Sequence, residues 1–316
     1  MSSATDAARF PEDAGIFVFG AGYSAGRFVE ALPKASIRGL TVRSGEGVEA
    51  WRTRGLPAFR FDGEAVDGDE DALIGQALAE TTHLLVSVPP GHPGPPGARV
   101  GGANATPGDP VLRRFGASLE QASPRLEWIG YLSTVGVYGD HDGAWIDETA
   151  ELRPVSARSR ERVSAEEGWT ALGQARGLPV AILRLSGIYG PGRNAFRNLA
   201  DGTARRIVKP GQVFNRIHVD DIAGAALLLA RERLGGPFNV SDDEPAPPGD
   251  VVLHAARLAG VEPPPETPFD PAAMSPMARS FWGENKRVSN ARLKGSGYAF
   301  RFPTYREGLA GLLPEA

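Results

Sequence analysis

Two stretches of the chain concentrate residues whose types and spacing could do chemistry. The first is VFGAGYSAGR (18–27), where Gly20, Gly22 and Ala25 stand between an apolar run and an amphipathic one. A glycine for a tight turn, a second that lets the backbone approach a ligand, and a third small residue where helix meets strand together cradle a pyrophosphate. The amides that open the following helix are unpaired and carry the positive end of its dipole, so they suit an anion. Gly20, Gly22, Tyr23, Ser24 and Ala25 are therefore assigned to a dinucleotide phosphate site. The second stretch is RPVSARSRERVSAEEGW (153–169), with four arginines among residues 153–162. Arg158 and Arg162 share one helix face, where like charges repel unless an anion or a carboxylate lies near. The plainer alternative is a solvated face on which Arg162 and Glu166 form an i,i+4 pair.

The elements that must position these residues alternate along the chain. GIFVFG (15–20), LTVR (40–43), PAFRF (57–61), HLLVSVP (83–89), LEWIGYLS (126–133) and PVAILRL (179–185) read as strands. Between them, 24–34, 46–54, 69–80, 109–121 and 156–176 read as helices. Such alternation argues for a parallel sheet with right-handed crossovers and helices on both faces. After residue 186 the pattern loosens. RIHVDDIAGAALLLARER leads into a helix, GPFNVSD is a short strand, EPAPPGDVVLHAARLAG a capped helix and TYREGLAGLL a terminal one. The expected fold is α/β, a Rossmann-type doubly wound parallel sheet over 1–185. A smaller C-terminal substrate lobe takes most of 186–316, with segments interleaved with the sheet.

The second strand bears on which dinucleotide fits. An NAD site places Asp or Glu at this strand's end to hold the ribose hydroxyls. Here LTVRSGEG puts Arg43 and Ser44 there, and a guanidinium suits a 2′-phosphate. NADP is thus expected in preference to NAD, with Arg27 adding charge from the first helix. Ser87 and Val88, at the end of HLLVSVP, complete the cofactor contacts. PPGHPGPPGARVGGANATPGDP (89–110) follows that strand and is too long for an ordinary connection. It reads as an inserted loop or as a lid over the site, with His92 a solvated loop histidine.

Composition removes whole classes of chemistry. The 316 residues carry a net charge of −4 and no basic block, so neither nucleic acid nor an anionic membrane is expected as a partner. With no cysteine, disulfides, zinc–thiolate sites and thiol nucleophiles are excluded. Five scattered histidines lack metal-ligand spacing, so no metal is expected. The N-terminus is polar and no apolar run approaches the roughly 20 residues of a membrane span, which points to the cytoplasm. A small-molecule substrate and a monomer or homodimer are expected.

Three further segments carry a resemblance. YLSTVGVYGDHDGAWIDETAELRP (131–154) resembles the S-S-x-x-V-Y-G-D segment of extended short-chain dehydrogenase/reductases, the NAD-dependent epimerase/dehydratase family. LRLSGIYGPGR (183–193) is similar to their R-x-x-x-x-Y-G-P-G segment, and RIHVDDIAGA (216–225) to their H-V-D-D segment. The resemblance implies the fold, nucleotide binding and the division into lobes. It also implies a Tyr-x-x-x-Lys pair within a run like P-x-x-x-Y-G-x-S-K-x-x-A-E. That run falls without a gap on PVSARSRERVSAE, from Pro154 to Glu166. Arg158 then occupies the tyrosine position and Arg162 the lysine position, which marks an atypical member without its tyrosine acid/base.

Thr134 matches the family's Ser/Thr position, with Ser133 beside it, and is expected to hydrogen-bond the substrate oxygen. A guanidinium does not give up its proton, so Arg158 can stabilise an oxyanion or hold a carboxylate or phosphate but cannot act as an acid. Arg162 can keep the lysine's ribose-binding role. Tyr138 and Tyr189 fall where an aromatic shapes the family's pocket and are lesser candidates for the proton donor. His218 is expected to be structural, Asp220 and Asp221 to cap the next helix, and Arg216 to meet an anionic substrate. Lys286 and Arg287 are either surface charges or cleft residues. The activity implied is that of an NADP-preferring, or NAD-using, oxidoreductase acting on a small carbonyl, hydroxyl or sugar-like compound. Two alternatives stand beside it: a non-catalytic NAD(P)-binding redox sensor, and an epimerase or dehydratase that retains its nicotinamide.

Overall fold

The structure is a computed structural model that describes residues 10–11, 13–63, 68–91 and 108–313. Most of the stretch 89–110, His92 included, lies outside the described residues. Strand and helix alternate from the start: β1 (Ile16–Phe19), α1 (Tyr23–Glu30), β2 (Ile37–Val42), α2 (Gly45–Thr53), β3 (Ala58–Arg60), α3 (Gly68–Ala79), β4 (His83–Val86), α4 (Pro110–Gln121) and β5 (Trp128–Thr134). Next come β6 (Trp145–Ile146), α5 (Ala157–Arg176), β7 (Val180–Leu185), β8 (Gly187–Tyr189), α6 (Ala195–Ala200), β9 (Arg206–Val208) and β10 (Arg216–His218). The chain ends with α7 (Val219–Arg231), β11 (Gly236–Val240), α8 (Pro248–Leu258), β12 (Glu266–Pro268), α9 (Pro276–Trp282), β13 (Arg287–Val288), α10 (Ala291–Gly295) and α11 (Tyr305–Ala310).

The central sheet has seven strands in the order β11-β7-β5-β4-β1-β2-β3. β1 pairs in parallel with both β2 and β4, so the strand order reverses between β1 and β4. That reversal opens the crevice in which such sheets bind dinucleotides. All four residues of β1 are buried, as a strand covered on both faces requires.

Two departures from the sequence pattern have physical reasons. The first helix stops at Glu30 rather than residue 34, because Pro33 cannot continue it; a single 3-10 turn at Lys34–Ser36 follows. GPFNVSD, read with the looser tail, supplies β11, a strand of the central sheet beside β7. A short apolar run carries no local mark of which strand it will pair with.

The chain divides into two compact units. One comprises residues 1–133, 161–182 and 226–236, and the other 134–160, 183–225 and 237–316. In the first, Phe19, Phe61 and Phe115 pack at 5.2–5.6 Å between ring centroids, within a core that also holds Tyr131 and Trp169. Asp109 caps α4, accepting from the Val111 and Leu112 amides, with Pro110 in the first helical position. Its second oxygen accepts from Trp169 Nε1 at 3.2 Å, which ties α4 to α5.

The second unit is built from three short parallel pairs, β8 with β10, β9 with β12 and β6 with β13. Its core gathers Tyr189, Ala246, Ala255, Tyr305 and Leu309. Asp221 does not cap α7. Its fully buried carboxylate accepts from the Tyr298 hydroxyl at 2.8 Å and from the Arg301 and Phe302 amides at 2.7 and 3.0 Å. The start of α7 is closed instead by His218, whose Nδ1 accepts from the Asp220 amide at 3.2 Å. An Asp221→Ala variant leaves two backbone donors and a phenol without their charged acceptor. Urea titration is expected to show a loss of about 3 kcal/mol in unfolding free energy.

Candidate functional site

The glycine loop is built as a phosphate cradle. Gly20 has φ +83°, and a Cβ there would lie 3.0 Å from Val88 Cγ2. Its amide donates to Thr41 Oγ1 at 2.9 Å, and the Ala21 amide to the Thr41 carbonyl at 2.8 Å, so β2 fixes the turn. Gly22 starts α1 with no side-chain cap and no acid in the first turn. Among the described residues, the nearest atom to a Cβ on Gly22 would be the Gly20 carbonyl at 4.0 Å, and the Gly22 amide donates to that carbonyl at 2.7 Å. Tyr23 is exposed, Ser24 half-buried, and Ala25 wholly buried beneath the turn. A helix that opens without a side-chain cap at the sheet's switch point fits a pyrophosphate.

Around this cradle the expected contacts divide. Arg43 is exposed just past β2, and among the described residues its guanidinium meets no acceptor. Ser44 uses its hydroxyl to cap α2, accepting from the Gly47 amide at 3.2 Å. Arg27 pairs with Glu30 at 3.2 Å. Ser87 donates its amide to the Phe19 carbonyl at 2.8 Å, continuing the β1–β4 ladder, and Val88 packs on Gly20.

Further along the same unit, α5 runs beside the end of β5. Arg162 Nη1 donates to the Leu132 carbonyl at 2.7 Å and to the Tyr131 hydroxyl at 3.0 Å. Both hydrogens of that nitrogen are thereby used, and among the described residues the other edge of the guanidinium meets no acceptor. Burial pushes the Tyr131 hydroxyl well above the usual phenol range, against the opposing charge of Arg162. Burial likewise raises Asp109, against the amides of Leu112 and Val111 and the Trp169 indole. Ser133 donates to Glu166 Oε1 at 2.5 Å, so Ser133 and Glu166 are bound to each other in the interior. Glu161 lies so close to Gly91 that a Cβ there would collide with its carboxylate.

The remaining candidates belong to the second unit. Thr134 Oγ1 accepts from the Gly136 amide at 3.1 Å, which leaves its own proton to donate. Tyr138 is wholly buried; its hydroxyl donates to Asn239 Oδ1 at 2.7 Å and accepts from Arg184 Nη1 at 2.9 Å. That phenol holds two of the resembling segments together. Arg158 is exposed in the first turn of α5, its Cζ 5.5 Å from the Phe281 ring. Tyr189 is buried, with its hydroxyl 3.5 Å from the Thr304 carbonyl and its ring edge-on to His218. Burial and the charges of Asp242 and Asp221 raise the Tyr189 phenol far above its usual range. Arg216 donates to the Phe214 and Ala246 carbonyls at 2.8 and 3.1 Å. Lys286 is not a surface charge: it is buried, bound to the Gly139 carbonyl at 2.6 Å and Glu284 at 2.7 Å. Arg287 donates to the Gly143 carbonyl.

The family model for the NAD dependent epimerase/dehydratase family matches residues 120–241. Protein YeeZ of Escherichia coli (strain K12) is 33% identical over 227 residues, which cover 69% of this chain and 74% of YeeZ. The chain belongs to the NAD-dependent epimerase/dehydratase family. A solved structure of a conserved protein of unknown function from Silicibacter pomeroyi DSS is 42% identical, with a TM-score of 0.78, over 95% of this chain and 98% of that one. A 3-diazoavenalumate denitrifying reductase from a Streptomyces species is 33% identical over 143 residues, 40% of this chain and 45% of that protein. No described helix is long and apolar enough to cross a membrane.

Tyr131, Glu161 and Asp242 went unmarked in the sequence. Tyr131 lies just ahead of the S-S-x-x-V-Y-G-D run, Glu161 falls at the serine position of the helix run, and Asp242 follows β11 in an unremarkable SDDE run. Asp242 is buried, and burial raises its pKa from 3.8 to about 8, against the Glu244 amide and the Arg216 charge. Since the folded-state value lies above the unfolded one, folding takes up a proton between those two pH values. The stability this group contributes is complete below pH 3.8 and is lost as the pH rises to about 8. Unfolding free energy, measured by urea titration across that range, should fall more steeply in the wild type than in Asp242→Asn.

Proposed function

We propose that this family member is an NADP(H)-preferring oxidoreductase acting on a small carbonyl, hydroxyl or sugar-like substrate. The observation that carries the reading is the tight turn at Gly20 leading into the uncapped start of α1 at Gly22, with the exposed Arg43 guanidinium at the end of β2. Gly22, Tyr23, Ser24 and the turn at Gly20 would hold the pyrophosphate, Ala25 lets α1 pack close, and Arg43 would take the 2′-phosphate. Ser87 and Val88 would border the crevice, while Ser44 contributes by fixing α2. Arg162, steadied by Tyr131 and Leu132, would offer its remaining edge to the nicotinamide-side ribose. When bound, the reduced cofactor supplies hydride for a carbonyl carbon.

Thr134 would hold the substrate oxygen through its available hydroxyl proton, and Arg158 would add positive charge. Arg158 cannot supply the proton, and the Tyr138 hydroxyl is bound to Asn239 and Arg184. Water or a group on the substrate therefore completes the reduction. An epimerase or dehydratase cycle would use the same groups with the nicotinamide retained. The absence of tyrosine at position 158 favours a second reading, a non-catalytic NAD(P)-binding sensor.

Calorimetric titration with NADPH and NADH tests the binding step: tighter NADPH is expected, and no affinity for either would overturn both readings. An Arg43→Asp variant loses a charge-assisted contact of roughly 1.5–3 kcal/mol, so its NADPH affinity should fall about 10- to 100-fold relative to NADH. A carbonyl-compound screen that follows NADPH absorbance separates enzyme from sensor. Tight binding with no turnover across the panel would favour the sensor.

A further inference from the structure

The four arginines of residues 153–162 meet different fates. Arg153 pairs with Glu151 at 2.9 Å, and Arg160 donates to the Val155 carbonyl at 3.0 Å. Arg162 is fixed by the Leu132 carbonyl and the Tyr131 hydroxyl. Arg158 alone of the four has no carboxylate or hydrogen-bond acceptor among the described residues. Its Cζ lies 5.5 Å from the centroid of the Phe281 ring, and Phe281 is itself 52% exposed.

Phe281 is not held there by a loose helix. Its neighbour Trp282 is buried, with its ring 5.2 Å from Phe214 and 5.3 Å from Phe269. Lys209 Nζ donates to the Trp282 carbonyl at 2.6 Å. The end of α9 is thus pinned by Trp282, and Phe281 is presented outward as a consequence. Within one compact unit, a permanent cation without an acceptor lies beside an exposed aromatic face.

We infer that Arg158 and Phe281 together recognise a substrate that carries a carboxylate on a flat, conjugated or aromatic body. The guanidinium has a planar fork of donors that matches a carboxylate bidentately, and it cannot be discharged by losing a proton. The phenyl face beside it gains by stacking on a second flat ring and by leaving water. Neither group alone would specify this class. A lone arginine accepts any anion, and a lone phenylalanine any apolar body. Their adjacency selects a molecule with both features a few ångströms apart.

This inference rests on the oxidoreductase reading and narrows its substrate. The test is calorimetry on the full chain saturated with NADP+, with benzoate, cinnamate and benzoylformate as probes. Benzamide, cinnamamide and cyclohexanecarboxylate serve as matched controls. The wild type is expected to favour the aromatic acids by about tenfold over both the amides and the saturated acid. Arg158→Gln should erase the preference for acid over amide and keep the preference for a flat ring. Phe281→Leu should do the reverse, and NADP+ affinity should stay unchanged in both variants. No acid preference in the wild type, or a preference that survives both substitutions, overturns the inference. Failure of the wild type to bind NADP+ overturns the oxidoreductase reading as well, so the two failures are told apart by the cofactor titration.

Discussion

At Gly20 the chain leaves β1 with a left-handed backbone that favours glycine and turns directly onto Val88, whose Cγ2 a β-carbon would approach to 3.0 Å. That turn is tied through Thr41 to the strand on one side and packs on the strand extension from the other. The point where the sheet reverses its order is therefore also a point where the backbone is held by both neighbouring strands. Because the turn holds its shape through neighbouring strands, the amides of α1 are presented at a fixed place without spending a capping side chain on them. Everything assigned to cofactor binding is measured from this corner, including Arg43 on the β2 side and Arg162 on the β5 side.

The first unit was largely legible because its signals are local. An apolar run followed by Gly-x-Gly and an amphipathic stretch specifies strand, turn and helix over a dozen residues, and each of these formed. What failed to show was what depends on distant partners. Nothing within GPFNVSD distinguishes a strand of the central sheet from one in a small lobe; the distinction lies in its pairing with β7. The two aspartates of RIHVDD look like helix caps, yet Asp221 takes its donors from residues 298, 301 and 302. Lys286 looked like a charge for solvent or substrate, and its partners at Gly139 and Glu284 keep it buried.

The candidate site divides along the same line. Residue type showed that position 158 cannot donate a proton, since that follows from guanidinium chemistry alone. Which hydroxyls are already engaged did not follow, because hydrogen-bond partners are a property of the folded chain. Tyr138 matches a family position, yet its hydroxyl bridges Arg184 and Asn239, which joins three segments far apart in sequence. Thr134 uses only its acceptor side locally and keeps a proton to give. Arginines put one guanidinium to different uses here: Arg153 pairs with Glu151 at the surface, Arg162 fixes a helix start to a strand end, Arg184 holds a buried phenol, and Arg158 faces outward beside a ring.

The bond from Lys286 to the Gly139 carbonyl joins residues 147 apart. During synthesis, β1 through β5 leave the ribosome long before that lysine exists. The early sheet can begin to collect its phenylalanines while the stretch around Gly139 and β6 still waits for Lys286 and β13. The second unit is therefore closed by the last part of the chain to be made. A chain halted before residue 286 would hold β1 through β5 in full, yet Gly139 would lack its lysine and β6 its partner strand β13.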